Sequence, residues 1–358
     1  MTVDFAPPRD PIAAVTHPDP YPYYRTLAAT PFHRHGALGL WIAASPAQVA
    51  EVLEHPDCRV RPLAQPVPPA LAGTSAGTLF GRLVRMNEGA AHAPLKGVLQ
   101  RELARIDAGA AARRAQAIAA DLPFGKEEVD RWLFTLPALA LADAIGLRMD
   151  GDAEGIAHSV ASFAAAISPL ATPAVVEAGA LAAQRLMSWA EEAGTDLHAL
   201  HEAAAEAGVE PAALSANLAG LLVQSCEATT ALAGSTLLRL AREPSLPIAE
   251  AVSRTAREDP PVQNTRRFLG VDATLCGVPV KSGDVVLVVL AAASCAATDA
   301  ERPWTFGAGR HACPGEVLAA ALAGATVDAL LSRGADPRAL ARQYRYRPSV
   351  NVRIPQFS

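Results

Sequence analysis

The stretch TFGAGRHACPG at 305–315 sets three glycines, a proline, an arginine, a histidine and one cysteine into eleven positions, and runs into the apolar helical pattern GEVLAAALAGATVDALLSRG. Glycines at this density remove the Cβ atoms that keep a backbone from turning tightly or approaching another group closely. A cysteine just ahead of a helix lies where the positive N-terminal end of that helix stabilises a thiolate. Backbone N–H groups directed at the sulfur temper its charge further, and the missing side chains leave room for a flat group laid against it. The stretch therefore predicts a loop that presents Cys313 to one face of a planar cofactor, with a helix directly behind it. The alternative is a buried structural cysteine beside a glycine turn.

The other four cysteines, Cys58, Cys226, Cys276 and Cys295, are widely scattered with no C-x-x-C pair, so the chain shows neither a disulfide framework nor a zinc site. With 358 residues, 51% of them hydrophobic, there is enough apolar material for a large buried core. A net charge of -5 and the lack of a long basic run argue against a nucleic-acid binder held by phosphate contacts. The N-terminus MTVDFAPPRDPIAAVTHPDP lacks both the positive start and the apolar core of a signal peptide. The longest uncharged stretches, 159–176 and 211–226, are broken by proline or studded with Ser, Thr, Asn and Gln, which fits no membrane span. A cytoplasmic protein with no membrane partner is expected.

No internal repeat or low-complexity linker interrupts the chain, and a single domain over 1–358 is expected. LWIAASPAQVAEVLEHP (40–56) reads as a short strand, a turn and a helix carrying Val49, Val52 and Leu53 on one face. From about Leu95 to Leu240 the apolar residues recur at helical spacing. RRFLGVDATLCGVPVKSGDVVLVVL (266–290) then reads as short strands joined by glycine turns, ahead of the loop and a final helix. The pattern predicts a mainly α fold with small β-sheets.

The loop resembles the haem-binding loop of the cytochromes P450, F-G-x-G-x-H-x-C-x-G, met at every fixed position by Phe306, Gly307, Gly309, His311, Cys313 and Gly315. HPDPYPYYRTLAATP (17–31) is similar to the opening segment of that family. HAPLK (92–96) is similar to its H-x-x-x-R, with lysine for arginine, and DPPVQNTRR (259–267) to the stretch leading from its K helix into the small sheet. The resemblance implies a single haem domain with haem b between a long distal helix and the Cys-loop helix, and Cys313 as the thiolate ligand to iron. It implies that His92, Lys96, Arg267 and His311 hold the haem propionates, a role that suits cations and N–H donors. It also implies a substrate pocket walled by Leu79, Phe80, Leu83, Phe163, Gln224, Val262, Gln263, Asn264 and Val350, apolar with few aromatics.

The departures from the family are as informative. The distal helix of the family carries an adjacent acid and threonine that steer protons to the reaction; here the stretch is QSCEATTALAG (224–234). Aligned on Gly234, Glu227 takes the acid position and Ala228 that of the alcohol; aligned on the Thr-Thr pair, Ala228 takes the acid position and Thr229 that of the alcohol. Residues i and i+2 lie about 200° apart around a regular helix, so Glu227 and Thr229 become neighbours only across a π-bulge. In AVSRTAREDPP (251–261) the E-x-x-R glutamate of the family is replaced by Arg254, three residues before Arg257, and restoring it is expected to stabilise the fold. The segment ahead of WTFGAG is also shorter than in the family, which implies weaker haem retention.

These features support an oxidative tailoring enzyme, hydroxylating or otherwise oxidising a small organic substrate of specialised metabolism, with electrons from a ferredoxin and a ferredoxin reductase. A haem-thiolate enzyme that uses peroxide, or a redox-neutral dehydratase or isomerase, does not need the acid–alcohol pair. A catalytically silent haem-binding protein is the third reading. Lys96, Arg101 and Arg105 share a helix that in this family lines the proximal face and suits an acidic partner.

Overall fold

In the computed structural model, residues 5–125, 128–149, 151–193, 197–297 and 302–357 are described. The chain divides into two compact units. The first comprises Met1–Ala64, Ser253–Cys313 and Arg345–Gln356, and the second Gln65–Val252, Pro314–Tyr344 and Phe357–Ser358.

The first unit opens with α1 (Tyr21–Ala28), the hairpin strands β1 (His33–His35) and β2 (Leu40–Ala43), α2 (Pro46–Glu54) and β3 (Cys58–Arg59). Its α2 begins in a capping box: Ser45 accepts from the Gln48 N–H, and the Gln48 side chain accepts from the Ser45 N–H. The expected strand, turn and helix at 40–56 are thus observed.

The second unit holds the helical body: α3 (Ser75–Arg82), α4 (Ala93–Arg105), α5 (Ala108–Asp121), α6 (Val129–Ile145), α7 (Ala153–Ala166), α8 (Pro173–Ala193), α9 (His198–Glu206) and α10 (Pro211–Arg242). After α11 (Ile248–Glu258), the chain lays down β4 (Thr265–Leu269), β5 (Ala273–Leu275), β6 (Val278–Val280), β7 (Val285–Val288) and α12 (Leu290–Ala296) in the first unit. Then α13 (Glu316–Ser332) and α14 (Pro337–Leu340) return to the second unit, and β8 (Arg345–Tyr346) and β9 (Pro355–Gln356) close the first.

The main sheet of the first unit has the order β1-β2-β7-β4-β3. β2 and β7 run parallel with Ile42 opposite Leu287, and β4 pairs antiparallel to β7 with Arg267 opposite Val286. Its inward residues meet Val49, Val52 and Leu53 of α2 in one apolar cluster. In the second unit α10 is the central element, packed by α6, α7, α8 and α13. The heavy use of alanine has a packing reason here. A Cβ added at Gly179 of α8 would lie 2.1 Å from the Ala166 Cβ of α7, so those two helices run too close for larger side chains.

A buried ion pair ties the first unit together across the sequence. Arg353, with 1% of its surface exposed, places Nε 3.1 Å from Asp259 Oδ1. Its other nitrogens donate to Val15 O at 2.9 Å, His17 O at 2.7 Å and Pro18 O at 3.2 Å. Tyr21 donates its hydroxyl to Asp259, and the Tyr346 ring lies 3.6 Å from the guanidinium carbon. Burial alone would lower the Arg353 pKa, but Asp259 and the surrounding tyrosines hold it above the ordinary guanidinium value. Arg254, by contrast, is exposed on α11.

Candidate functional site

The loop ahead of α13 is shaped by its two inner glycines. Gly307 and Gly309 have φ of +64° and +63°, the left-handed region that side chains with a Cβ rarely adopt. At Gly309 a Cβ would also come within 2.9 Å of Leu53 O at the end of α2. The Cys313 N–H donates to Phe306 O at 2.8 Å and closes the loop on itself, while the Ala312 N–H donates to Gly309 O at 3.0 Å. The chain enters α13 three residues later through Gly315 as N-cap, as the sequence predicts.

Two arginines that the sequence reading did not single out hold this loop. Arg310 donates to His55 O at 3.1 Å, Pro56 O at 3.3 Å and Cys58 O at 2.9 Å, clamping the loop to the end of α2. Arg302 reaches Phe306 O at 3.4 Å and also donates to Gly307 O. Thr305 accepts from the Val262 N–H at 3.0 Å, which anchors the start of the loop to the segment 259–264. Arginines near a glycine loop look like surface charge in the sequence, and only the fold brings backbone carbonyls to them.

The remaining cysteines are structural thiols. Burial raises Cys58 to about 11, Cys276 to about 12 and Cys295 to about 11, and Cys226 is buried in α10. Thiols held this high carry little thiolate near neutral pH, whereas Cys313 stands in the glycine loop just ahead of α13.

Each unit carries part of the predicted cofactor set. In the first, Arg267 is buried on β4, where Nη1 donates to Thr265 Oγ1 at 3.3 Å and Arg266 O at 2.9 Å, and His311 is half-buried in the loop. In the second, His92 is buried at the N-cap of α4. Lys96 lies one turn further on, its N–H donating to His92 O at 2.8 Å, so the two side chains share a helix face. In the first unit a cysteine in a glycine cradle and the buried Arg267, and in the second the buried His92, are each donors of the kinds that a haem and its carboxylates take.

The three residues expected to manage protons lie on α10. The helix is α-helical from Pro211 to Arg242, so no π-bulge brings Glu227 and Thr229 together. Gln224, Glu227 and Ala228 keep partial exposure on one face, whereas Thr229 is buried at 2%. Thr230 is fully buried and donates to Leu133 O at 2.7 Å.

Of the predicted pocket residues, Leu79, Phe80 and Leu83 are buried on and just after α3, and Phe163 is fully buried in α7. Val262 and Val350 are half-buried. Gln263 and Asn264 are buried with their amides donating to backbone, Gln263 Nε2 to Pro260 O at 2.7 Å and Asn264 Nδ2 to Val350 O at 2.9 Å. Gln224 donates to Gly220 O at 2.9 Å, one turn back along its own helix. Asn217, absent from the sequence reading, is fully buried and bonds the turn after α3.

No family model matches the chain. A biotin biosynthesis cytochrome P450 of Bacillus subtilis (strain 168) is 31% identical over 129 residues, 33% of this chain and 32% of that protein. The match thus spans about a third of the length of that curated relative. Among solved structures, P450BioI in complex with acyl carrier protein ligated by hexadec-9Z-enoic acid superposes with a TM-score of 0.76 at 21% identity, covering 94% of this chain and 97% of that one. CalO2 gives a TM-score of 0.71 at 23% identity, covering 99% of each chain. P450 RauA, complexed with a biosynthetic intermediate of aurachin RE, gives 0.75 at 19%, covering 98% of this chain and 96% of that one. No helix among the described residues is long and apolar enough to cross a membrane. Likeness of this extent to so many such structures means that the chain has the cytochrome P450 fold.

Proposed function

We propose that the chain is a haem-thiolate oxidoreductase of the cytochrome P450 family that oxidises a small organic substrate in specialised metabolism. The observation that carries this reading is the loop Phe306–Gly315 itself: its glycines take the left-handed backbone, two arginines clamp it, and it delivers Cys313 to the start of α13. Cys313 would hold the iron, and His92, Lys96, Arg267 and His311 would hold the propionates. Bound this way, haem supplies the oxidising power for inserting oxygen into a substrate or removing hydrogen from it.

The chain's own residues would bind and orient the substrate and control protons. Glu227 is the group on the open face of α10 able to hold a proton or give one up. The alcohol that would relay protons beside it is missing, since Ala228 is its neighbour and Thr229 faces into the core. This favours a second reading in which peroxide serves as co-substrate, because peroxide brings its own protons and oxygen atoms and lessens the need for a relay.

Electrons from a ferredoxin and its reductase would serve the first reading. P450BioI is seen with a carrier-bound acyl group, and carrier-bound delivery is an arrangement this chain can be tested for in the same assay. With surrogate redox partners, NADPH consumption well in excess of product, comparable peroxide-supported turnover and improved coupling in Ala228→Thr are expected. Tight coupling in the native protein, unmoved by Glu227→Gln, would contradict the role given to α10. A complete lack of turnover with either oxidant across a broad substrate panel would leave only the silent haem-binding reading.

A further inference from the structure

The turn Val84–Met86, between α3 and α4, is fastened to α10 by buried contacts. Leu83 fills the space over Gly220, where an added Cβ would lie 2.4 Å from Leu83 Cδ2. The Val84 N–H donates to Asn217 Oδ1 at 2.7 Å, and Asn217 Nδ2 donates to Arg82 O at 2.7 Å. Arg85 therefore sits on a rigid turn over α10. Seven residues beyond Gly220, about 10 Å along the helix, Glu227 is close enough to act on the Arg85 charge. Between them α10 keeps a partly open stripe at Leu221, Gln224, Glu227 and Ala228, although Leu218, Ala219, Leu222, Cys226 and Thr229 on its other sides are buried.

Arg85 Nε is buried there with no hydrogen-bond partner. The residue as a whole is only half-buried, so part of the side chain stays open to a ligand. Burial keeps its pKa below the ordinary guanidinium value, and the opposing pull of Glu227 does not make up the difference. A buried donor left unsatisfied is costly, and in a native protein such a group calls for an account of what meets it. Glu227 nearby favours a singly charged acceptor, since a dianion would be repelled more strongly by that carboxylate.

We propose that Arg85 is a specificity-determining residue that receives the carboxylate of an amphipathic acid whose apolar body lies along the partly open stripe of α10 at Leu221 and Ala228. The proposal rests on the haem-thiolate reading, in which this open face of α10 is the substrate side.

The test titrates haem-loaded native protein and Arg85→Gln with dodecanoate, methyl dodecanoate and dodecyl phosphate at pH 8, following both the haem absorption shift and the binding heat. Native protein is expected to bind dodecanoate at least about tenfold more tightly than its methyl ester, a difference that one charge-assisted hydrogen-bond pair can supply. Arg85→Gln should erase that preference while keeping full haem content. Arg85→Lys should keep part of it, because lysine preserves the charge but not the planar fork. Equal native affinity for acid and ester, or an unchanged preference in Arg85→Gln, would overturn the proposal. Haem loss confined to the Arg85 variants would also overturn it, showing that Arg85 serves the cofactor. Tighter binding of dodecyl phosphate would overturn the choice of a monoanion. Native protein that takes up no haem would instead sink the proposed function, and the binding heats would still report on the acid preference.

Discussion

Replacing Arg353 by Met should cost about 3 to 5 kcal/mol of stability, because it leaves a buried carboxylate uncompensated. The side chains of the pair are only 2% and 11% exposed, so solvent screens little of their attraction. Met matches the length and apolar packing of the arginine stem, which limits the cavity left behind. It removes the donor that Val15 O, His17 O and Pro18 O share, however, and leaves Asp259 with the Tyr21 hydroxyl as its recorded donor. Asp259→Asn should cost less, because Arg353 keeps its three carbonyl acceptors and an amide oxygen still accepts. The double variant should be less destabilised than the sum of the two single changes, since removing both charges leaves neither stranded. Urea unfolding followed by far-UV circular dichroism reads these differences as midpoint shifts at constant slope. Arg353→Met is expected to lower the melting temperature by at least about 5 °C. A loss below about 1 kcal/mol for Arg353→Met, or additivity in the double variant, would refute the claim that this pair organises the first unit.

Gly309→Ala must accommodate both a left-handed backbone and a Cβ 2.9 Å from Leu53 O; a destabilisation of at least about 1 kcal/mol, with reduced haem content after purification, is expected from melting and haem-to-protein ratios. The thiols of Cys58 and Cys295, both raised to about 11, favour the neutral form in the folded chain. Their contribution to stability is therefore full below the ordinary thiol value of 9.0 and is lost as the pH climbs from there to about 11; Cys58→Ala, corrected for its cavity, should flatten that part of the pH–stability curve. Arg254→Glu should change stability by less than about 1 kcal/mol in a melt, because an exposed position gives a surface pair little worth.

That small value revises the expectation that a glutamate restored at 254 stabilises the fold, since such a pair is worth much only where it is buried. What the sequence made legible was local. The glycine loop, the helix behind it, the strand, turn and helix at 40–56 and the strand-rich stretch before the loop each rest on residues within one or two turns of each other. The 3.6-residue period also placed Glu227 and Thr229 on different faces of α10, and the regular helix keeps them there. What escaped notice depends on distant partners. Arg353 reaches Val15 across 338 positions and Arg310 reaches His55 across 255, and no local pattern marks either arginine. Asn217 and Arg85 were hidden for the same reason, because a polar residue in an apolar stretch says nothing of which backbone or ligand it meets. Gln263 and Asn264 donate their amide nitrogens to Pro260 O and Val350 O, backbone partners that their residue types did not reveal.

The central claim is that Cys313 is the thiolate ligand of a bound haem. Its most direct measurement is the absorption spectrum of the dithionite-reduced carbon monoxide complex of the purified protein and of Cys313→Ala. Native protein is expected to show the long-wavelength band of thiolate ligation, Cys313→Ala to lose it, and Cys58→Ala and Cys295→Ala to keep it. A native complex without that band, or a Cys313→Ala complex that retains it, would contradict the assignment.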